Sequence, residues 1–110
     1  MDHVLNDIAA IGAEFGVRGI VLFGSRARGD HSLKSDYDIA VLGSLTEAEK
    51  ARLLDKIDEI ETLKKIDLVF VDDVRGSEDL LARIRKEGVV IYGEGGKQDP
   101  QLSERSSKTQ

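Results

Sequence analysis

Hydrophobic residues along the chain follow two rhythms that take turns. Val4, Leu5, Ile8, Ile11 and Phe15 recur every three or four positions, with Asp2 in front and Gly16 behind, which predicts an amphipathic helix over residues 2–15. The segment RGIVLF at 18–23 is an apolar run rich in branched side chains that stops at Gly24, the signature of a buried strand. Residues 25–35 turn polar and read as a loop or short helical turn, after which DYDIAVL at 36–42 predicts a second strand ending at Gly43. Thr46 followed by Glu49 forms a capping box, and Leu53, Leu54, Ile57 and Ile60 make the apolar stripe of a helix running to about residue 63. Its other face is charged and reads as wetted surface. A third strand, IDLVFV at 66–71, is apolar except for Asp67. Ser77 caps a last helix carrying Leu80, Leu81 and Ile84 and ended by Gly88, and residues 89–92 close with a short strand.

Strands alternating with helices predict an α/β (α+β) fold, a mixed β-sheet flanked by helices. The connection between 18–23 and 36–42 is too short for a crossover helix, so these two strands should run antiparallel. From Gly93 the text changes to GEGGKQDPQLSERSSKTQ, in which Leu102 is the one large apolar residue. The expected organisation is a single domain over residues 1–93 and a disordered tail over 94–110.

Composition narrows the class. In 110 residues with 40% hydrophobic content there is room for one modest core, and a large substrate must bring its own surface. A net charge of −5 with lysines and arginines scattered argues against direct nucleic-acid binding, which needs a basic face. There is no cysteine, hence no disulfide, thiolate nucleophile or thiolate metal site. The first residues carry acids where a secretory signal would be basic, and no run approaches the ~18 apolar residues of a membrane span. A cytoplasmic location is the expectation.

The chemistry is concentrated in residues 23–42, FGSRARGDHSLKSDYDIAVL. Side chains alternate along a strand, so Asp36 and Asp38 point one way while Tyr37 and Ile39 point into the other face. Two carboxylates at about 4 to 6 Å in an effective dielectric of ~20 repel by roughly 3 to 4 kcal/mol. A divalent cation between them reverses the sign, because hard Mg²⁺ takes carboxylates together with the phosphates of a nucleotide. Asp67 supplies a third acid if its strand lies beside the second, which would suit a two-metal site. On the other side of the window, Gly24 lets the backbone approach a phosphate closely. Ser25 offers a hydroxyl and an N–H at the start of a short helical turn, and Arg26 and Arg28 can complete the grip.

The pattern Gly24-Ser25, ten residues, Asp36-Tyr37-Asp38, with Asp67 on a later strand, resembles the nucleotidyltransferase superfamily typified by DNA polymerase β, and within it the minimal nucleotidyltransferases (MNT). The resemblance covers about residues 15 to 92. It implies the mixed sheet flanked by helices, two Mg²⁺ ions, an NTP donor, and transfer of a nucleoside monophosphate, AMP from ATP, to a hydroxyl of a partner macromolecule with loss of pyrophosphate. Gly24 and Ser25 would bind the triphosphate, Asp36 and Asp38 would hold both metals, and Asp67 would hold the catalytic one and help activate the acceptor. It further implies pairing with a HEPN-domain RNase toxin that the protein silences as its antitoxin. The alternative is a catalytically weak or inactive antitoxin that neutralises its partner by covering it.

Other polar residues read more plainly. His3 and His31 have no partner at metal-ligand spacing and are taken as surface residues. Ser35 serves a turn or supports the acids, Arg28-Gly29-Asp30 is a coincidental adhesion triplet, and Asp72-Asp73 cap a turn at a strand end.

Overall fold

The computed structural model describes residues 2–29, 36–95 and 102. In chain order the elements are α1 (His3–Phe15), β1 (Gly19–Phe23), α2 (Ser25–Arg28), β2 (Tyr37–Leu42), α3 (Glu47–Asp58), β3 (Ile66–Phe70), a 3-10 turn (Val71–Val74), α4 (Glu78–Glu87) and β4 (Val89–Gly93). Local signals set most of these bounds. Asp2 caps α1 by accepting from the Leu5 N–H at 2.9 Å, and Gly16 ends it in the left-handed conformation, φ 68°. The capping box of α3 is complete: Glu49 N–H donates to Thr46 Oγ1 at 3.1 Å, and Thr46 N–H donates to Glu49 Oε1 at 2.8 Å.

The four strands lie in the order β3-β2-β1-β4. β1 runs antiparallel to both β2 and β4, as the short connection requires, and β2 runs parallel to β3 through the α3 crossover. Alternate residues sort to the two faces. Ile20, Leu22, Tyr37, Ile39 and Val41 pack with Val4, Leu5 and Ile8 of α1 and Leu53 and Ile57 of α3. Val21, Phe23, Ala40 and Leu42 pack with Leu81 and Ile84 of α4, with Val71, and with Leu102, which is fully buried. Burying each such branched side chain contributes about 1.5 to 3 kcal/mol, so both helical layers are held firmly to the sheet. Apart from Leu102, the tail expected at 94–110 lies outside the described residues beyond Gly95, as do His31, Ser35 and Asp30.

One boundary differs from the expectation by more than a residue. α3 stops at Asp58, five residues before residue 63, and Leu63 is fully exposed. The chain turns there to enter β3 parallel to β2, with Ile60 still packed on the core just past the helix end. Ser77 does stand at the N-cap of α4, but its side chain makes no capping bond. The face of α3 read as uniformly wetted also contains Lys50, buried to 7% exposure, whose Nζ lies 2.7 Å from Asp73 Oδ1 and 3.2 Å from Glu47 Oε2. Among the described residues no helix is long and apolar enough to cross a membrane.

Candidate functional site

The C-terminal end of β1 and the N-terminal ends of β2 and β3 meet along one margin of the sheet. Phe23, the last residue of β1, is the register partner of Asp38, and Asp38 is in turn the register partner of Asp67. Neighbouring strands stand about 4.8 Å apart, and parallel partners project to the same face, so Asp38 and Asp67 are held side by side by the backbone ladder itself. That face is the one covered further along by α4, as the burial of Phe23 and Ala40 there shows. Asp36 stands exposed just ahead of β2.

The electrostatics record the crowding. Burial holds the Asp38 carboxyl above its ordinary value, Asp67 and Asp36 push it the same way, and Arg83 and Arg28 pull it back. Asp67 is about half exposed and forms an ion pair with Lys65, Nζ to Oδ1 3.3 Å. Among the described residues no three His, Cys, Asp or Glu side chains are drawn tightly enough together to hold a metal ion, so the acids form a shared negative field rather than a closed coordination shell. The donor set nonetheless suits magnesium: it consists of carboxylate oxygens, and their mutual repulsion is what a hard cation would relieve.

Gly24 closes the site from the β1 side. Its φ of 79° with ψ of −158° belongs to a region open almost solely to glycine, and a Cβ at this position would strike Oδ2 of Asp38. The main chain after β1 therefore runs directly against the acid pair. Ser25 begins α2 half-buried, and Arg28 lies one turn on, its NH1 3.1 Å from Glu87 Oε1.

Not every residue singled out in the sequence gathers at this margin. Arg26 places its guanidinium 4.1 Å from the ring centroid of Tyr37. Tyr37 belongs to the α1 face of the sheet, opposite the acids, and its hydroxyl donates to Asp2 Oδ2 at 2.7 Å. Burial, followed by the bond to Asp2, raises the Tyr37 hydroxyl above its usual value. Burial alone would raise Asp2, but the Leu5 N–H and the Tyr37 hydroxyl, together with Arg26 and His3, bring it below the ordinary carboxylate value. Arg26 thus links α2 to the start of α1, whereas Gly24, Arg28, Asp36, Asp38 and Asp67 cluster together.

Two participants carry no local signal in the sequence. Glu87, in the last turn of α4, accepts from the Gly24 N–H at 3.2 Å, and Arg83, one turn earlier, lies over Phe23 at 5.5 Å. Their spacing of four marks an ordinary helical pair, and only the folded chain reveals that they overhang the acids. A cavity of about 470 Å³ lies away from this margin, between α1 and the end of α3, lined by His3, Asp7, Glu14, Lys56, Glu59 and Glu61 among others. It is wide open, and its predominantly acidic rim offers a phosphate no donor set comparable to Gly24 and Arg28.

Comparison with known proteins bears on the family and the fold. The family model described as "Polymerase beta, Nucleotidyltransferase" matches residues 6–96. No curated protein matches the chain. Among solved structures, a toxin-antitoxin with AMP-PNP is 26% identical with a TM-score of 0.62, the alignment covering 82% of this chain and 73% of that one. A tri-AMPylated Shewanella oneidensis HEPN toxin in complex with MNT antitoxin is 24% identical, TM-score 0.57, covering 83% and 71%. A mutant of the MntA-HpeT toxin-antitoxin is 23% identical, TM-score 0.59, covering 82% and 73%. The last two show a shared fold. A family match that begins inside α1 and continues past β4 takes in every strand of the sheet, and the chain belongs to the polymerase beta nucleotidyltransferase family.

Proposed function

We propose that this protein is a magnesium-dependent nucleotidyltransferase that moves AMP from ATP to a hydroxyl on a partner protein, and that the partner is a HEPN toxin whose antitoxin it is. The observation that carries the reading is the register pairing of Asp38 with Asp67 while Gly24 abuts Asp38, which puts an acid pair and a bare stretch of backbone at one point. The likeness to a toxin-antitoxin with AMP-PNP supports the nucleotide, and the MNT antitoxin found with a tri-AMPylated HEPN toxin supports acceptor and partner.

On this reading Asp36, Asp38 and Asp67 would hold two Mg²⁺ ions, which would neutralise the triphosphate and stabilise the charge growing on the leaving pyrophosphate. The chain's own groups do the positioning. The Gly24 N–H and the Arg28 guanidinium grip the phosphates beyond the α-position, and Ser25 adds its hydroxyl. Asp67, the more open of the strand-borne acids, faces the incoming acceptor and takes a hydrogen bond from its hydroxyl. The acceptor oxygen bonds to the α-phosphorus as the bond from that phosphorus to the bridging oxygen of pyrophosphate breaks, and the hydroxyl proton passes through Asp67 to solvent.

The test is to incubate the protein with Mg²⁺, each α-labelled NTP in turn and a co-expressed HEPN partner. Label from ATP should appear on the partner, and Asp38→Asn should abolish it. If Asp38→Asn transfers no label yet still neutralises the toxin, covering the partner is sufficient and catalysis is not required.

A further inference from the structure

The two donors assigned to the triphosphate are already engaged by an anion of the protein itself. Glu87 Oε1 accepts from the Gly24 N–H at 3.2 Å and from Arg28 NH1 at 3.1 Å, with Arg83 Nε 4.0 Å away. Glu87 and Gly24 are 63 residues apart in sequence, so folding alone brings this contact about. A carboxylate oxygen and a phosphate oxygen make the same charge-assisted bonds to an amide and a guanidinium, at the same distances. The two anions therefore compete for one position.

The local energetics explain why a protein group stands there. Gly24 is buried, and an amide N–H away from water needs an acceptor. Arg28 and Arg83 also act on Asp38, but Asp36, Asp38 and Asp67 already supply more negative charge here than the two arginines supply positive. Glu87 is held at this acidic margin by its direct bonds, satisfying the amide and pairing with Arg28. Its side chain is nonetheless 20% exposed, and it projects from the final turn of α4, so it can swing into water when a more highly charged anion arrives.

We propose that Glu87 is an internal stand-in for phosphate: it keeps the turn at Gly24 in its binding geometry and must be displaced by the incoming triphosphate. It thereby sets the threshold for nucleotide binding, and it re-enters as pyrophosphate leaves. This inference rests on the nucleotidyltransferase reading of the same site. It makes α4 an element of nucleotide affinity although none of its residues belongs to the acid set.

Titration calorimetry on the full chain, wild type and Glu87→Gln, with Mg·ATP, inorganic tripolyphosphate and adenosine tests it. Gln keeps the length and an acceptor oxygen for Gly24 but loses the charge. ATP and tripolyphosphate should bind the variant about tenfold tighter than wild type, because the occupied fraction of the cradle no longer reduces the apparent affinity. Adenosine should not change. If wild type binds ATP and Glu87→Gln binds it equally or less well, Glu87 is only a brace for the turn and the stand-in role is overturned, while the nucleotidyltransferase reading survives. An equal gain for adenosine overturns the stand-in role as well, since the effect would not be at the phosphates. If neither protein binds ATP or tripolyphosphate, both readings fall. If only the variant binds, both stand. Melting without ligand confirms that the variant is folded; should it not be, Glu87→Ala, which removes the carboxylate altogether, takes its place with the same expected outcomes.

Discussion

The Cα of Gly24 sits so close to Oδ2 of Asp38 that a single added methyl would occupy the space of the carboxylate oxygen. Backbone and acid are in contact with nothing between them, which is the arrangement required if one ligand is to touch both. It also means that the conformation of the turn and the position of the acid cannot be altered independently.

Gly24→Ala should therefore damage both stability and activity. The φ of 79° with an extended ψ costs a non-glycine residue on the order of 1 to 3 kcal/mol, before any displacement of Asp38 is counted. Urea unfolding should show a loss of this size, and nucleotide transfer should fall by more than about a hundredfold, since 1 Å of misplacement is enough for that.

Asp38→Asn should stabilise the fold while abolishing transfer. The carboxyl is held above its ordinary value of 3.8, so the native state binds its proton more tightly than the unfolded chain does. Stability is consequently lost as pH rises from 3.8 through the raised native value, and the loss persists at neutral pH. The variant should exceed wild type at pH 7 by up to about 1 kcal/mol, the scale of a partly screened charge pair. That advantage should vanish as the pH is brought down to 3.8. Added Mg²⁺ should raise the urea midpoint of wild type and leave that of the variant unmoved.

Lys50 ties α3 to the 3-10 turn that follows β3, with its ammonium also 5.4 Å from the ring centroid of Phe70. The hydrogen bond to Asp73, opposed by burial and aided by Glu47, raises its titration above the ordinary lysine value of 10.5. The stabilisation is fully present below 10.5 and is lost as pH climbs through the raised value. Lys50→Ala should lower the melting temperature at pH 7, and Lys50→Met, which keeps the apolar stem over Phe70, should recover part of the loss. Melting curves of wild type and Lys50→Met should converge at strongly alkaline pH.

Tyr37→Phe removes the hydroxyl that Asp2 accepts from but leaves the ring under Arg26. A loss of about 1 kcal/mol is expected, the net worth of such a bond, with transfer activity unchanged because Tyr37 faces away from the acids. Tyr37→Leu removes the ring as well and should destabilise further, a difference that urea midpoints will resolve.

The sequence by itself determined what depends on neighbours along the chain. Asp2 and Gly16 bounded α1, Thr46 and Glu49 started α3, and the short run between Phe23 and Asp36 forced β1 and β2 antiparallel. Period-two alternation put Asp38 and Tyr37 on opposite faces. Each of these follows from local hydrogen bonding, side-chain periodicity or chain length, all of which can be read from a short window.

Only the tertiary structure decided which windows meet. That β3 would lie beside β2 with Asp67 opposite Asp38 depended on the α3 crossover, and nothing within either strand specifies the register. α3 ended where the chain turned toward its place beside β2, and Lys50 was buried because Asp73 came to face it from another element. Arg26 turned to Tyr37 while Arg28 turned to Glu87, although both lie in the same four-residue helix, because side chains on one turn point in different directions and each met a different neighbour. Burial and charge pairing are properties of surfaces in contact, and a linear chain acquires them only when it folds.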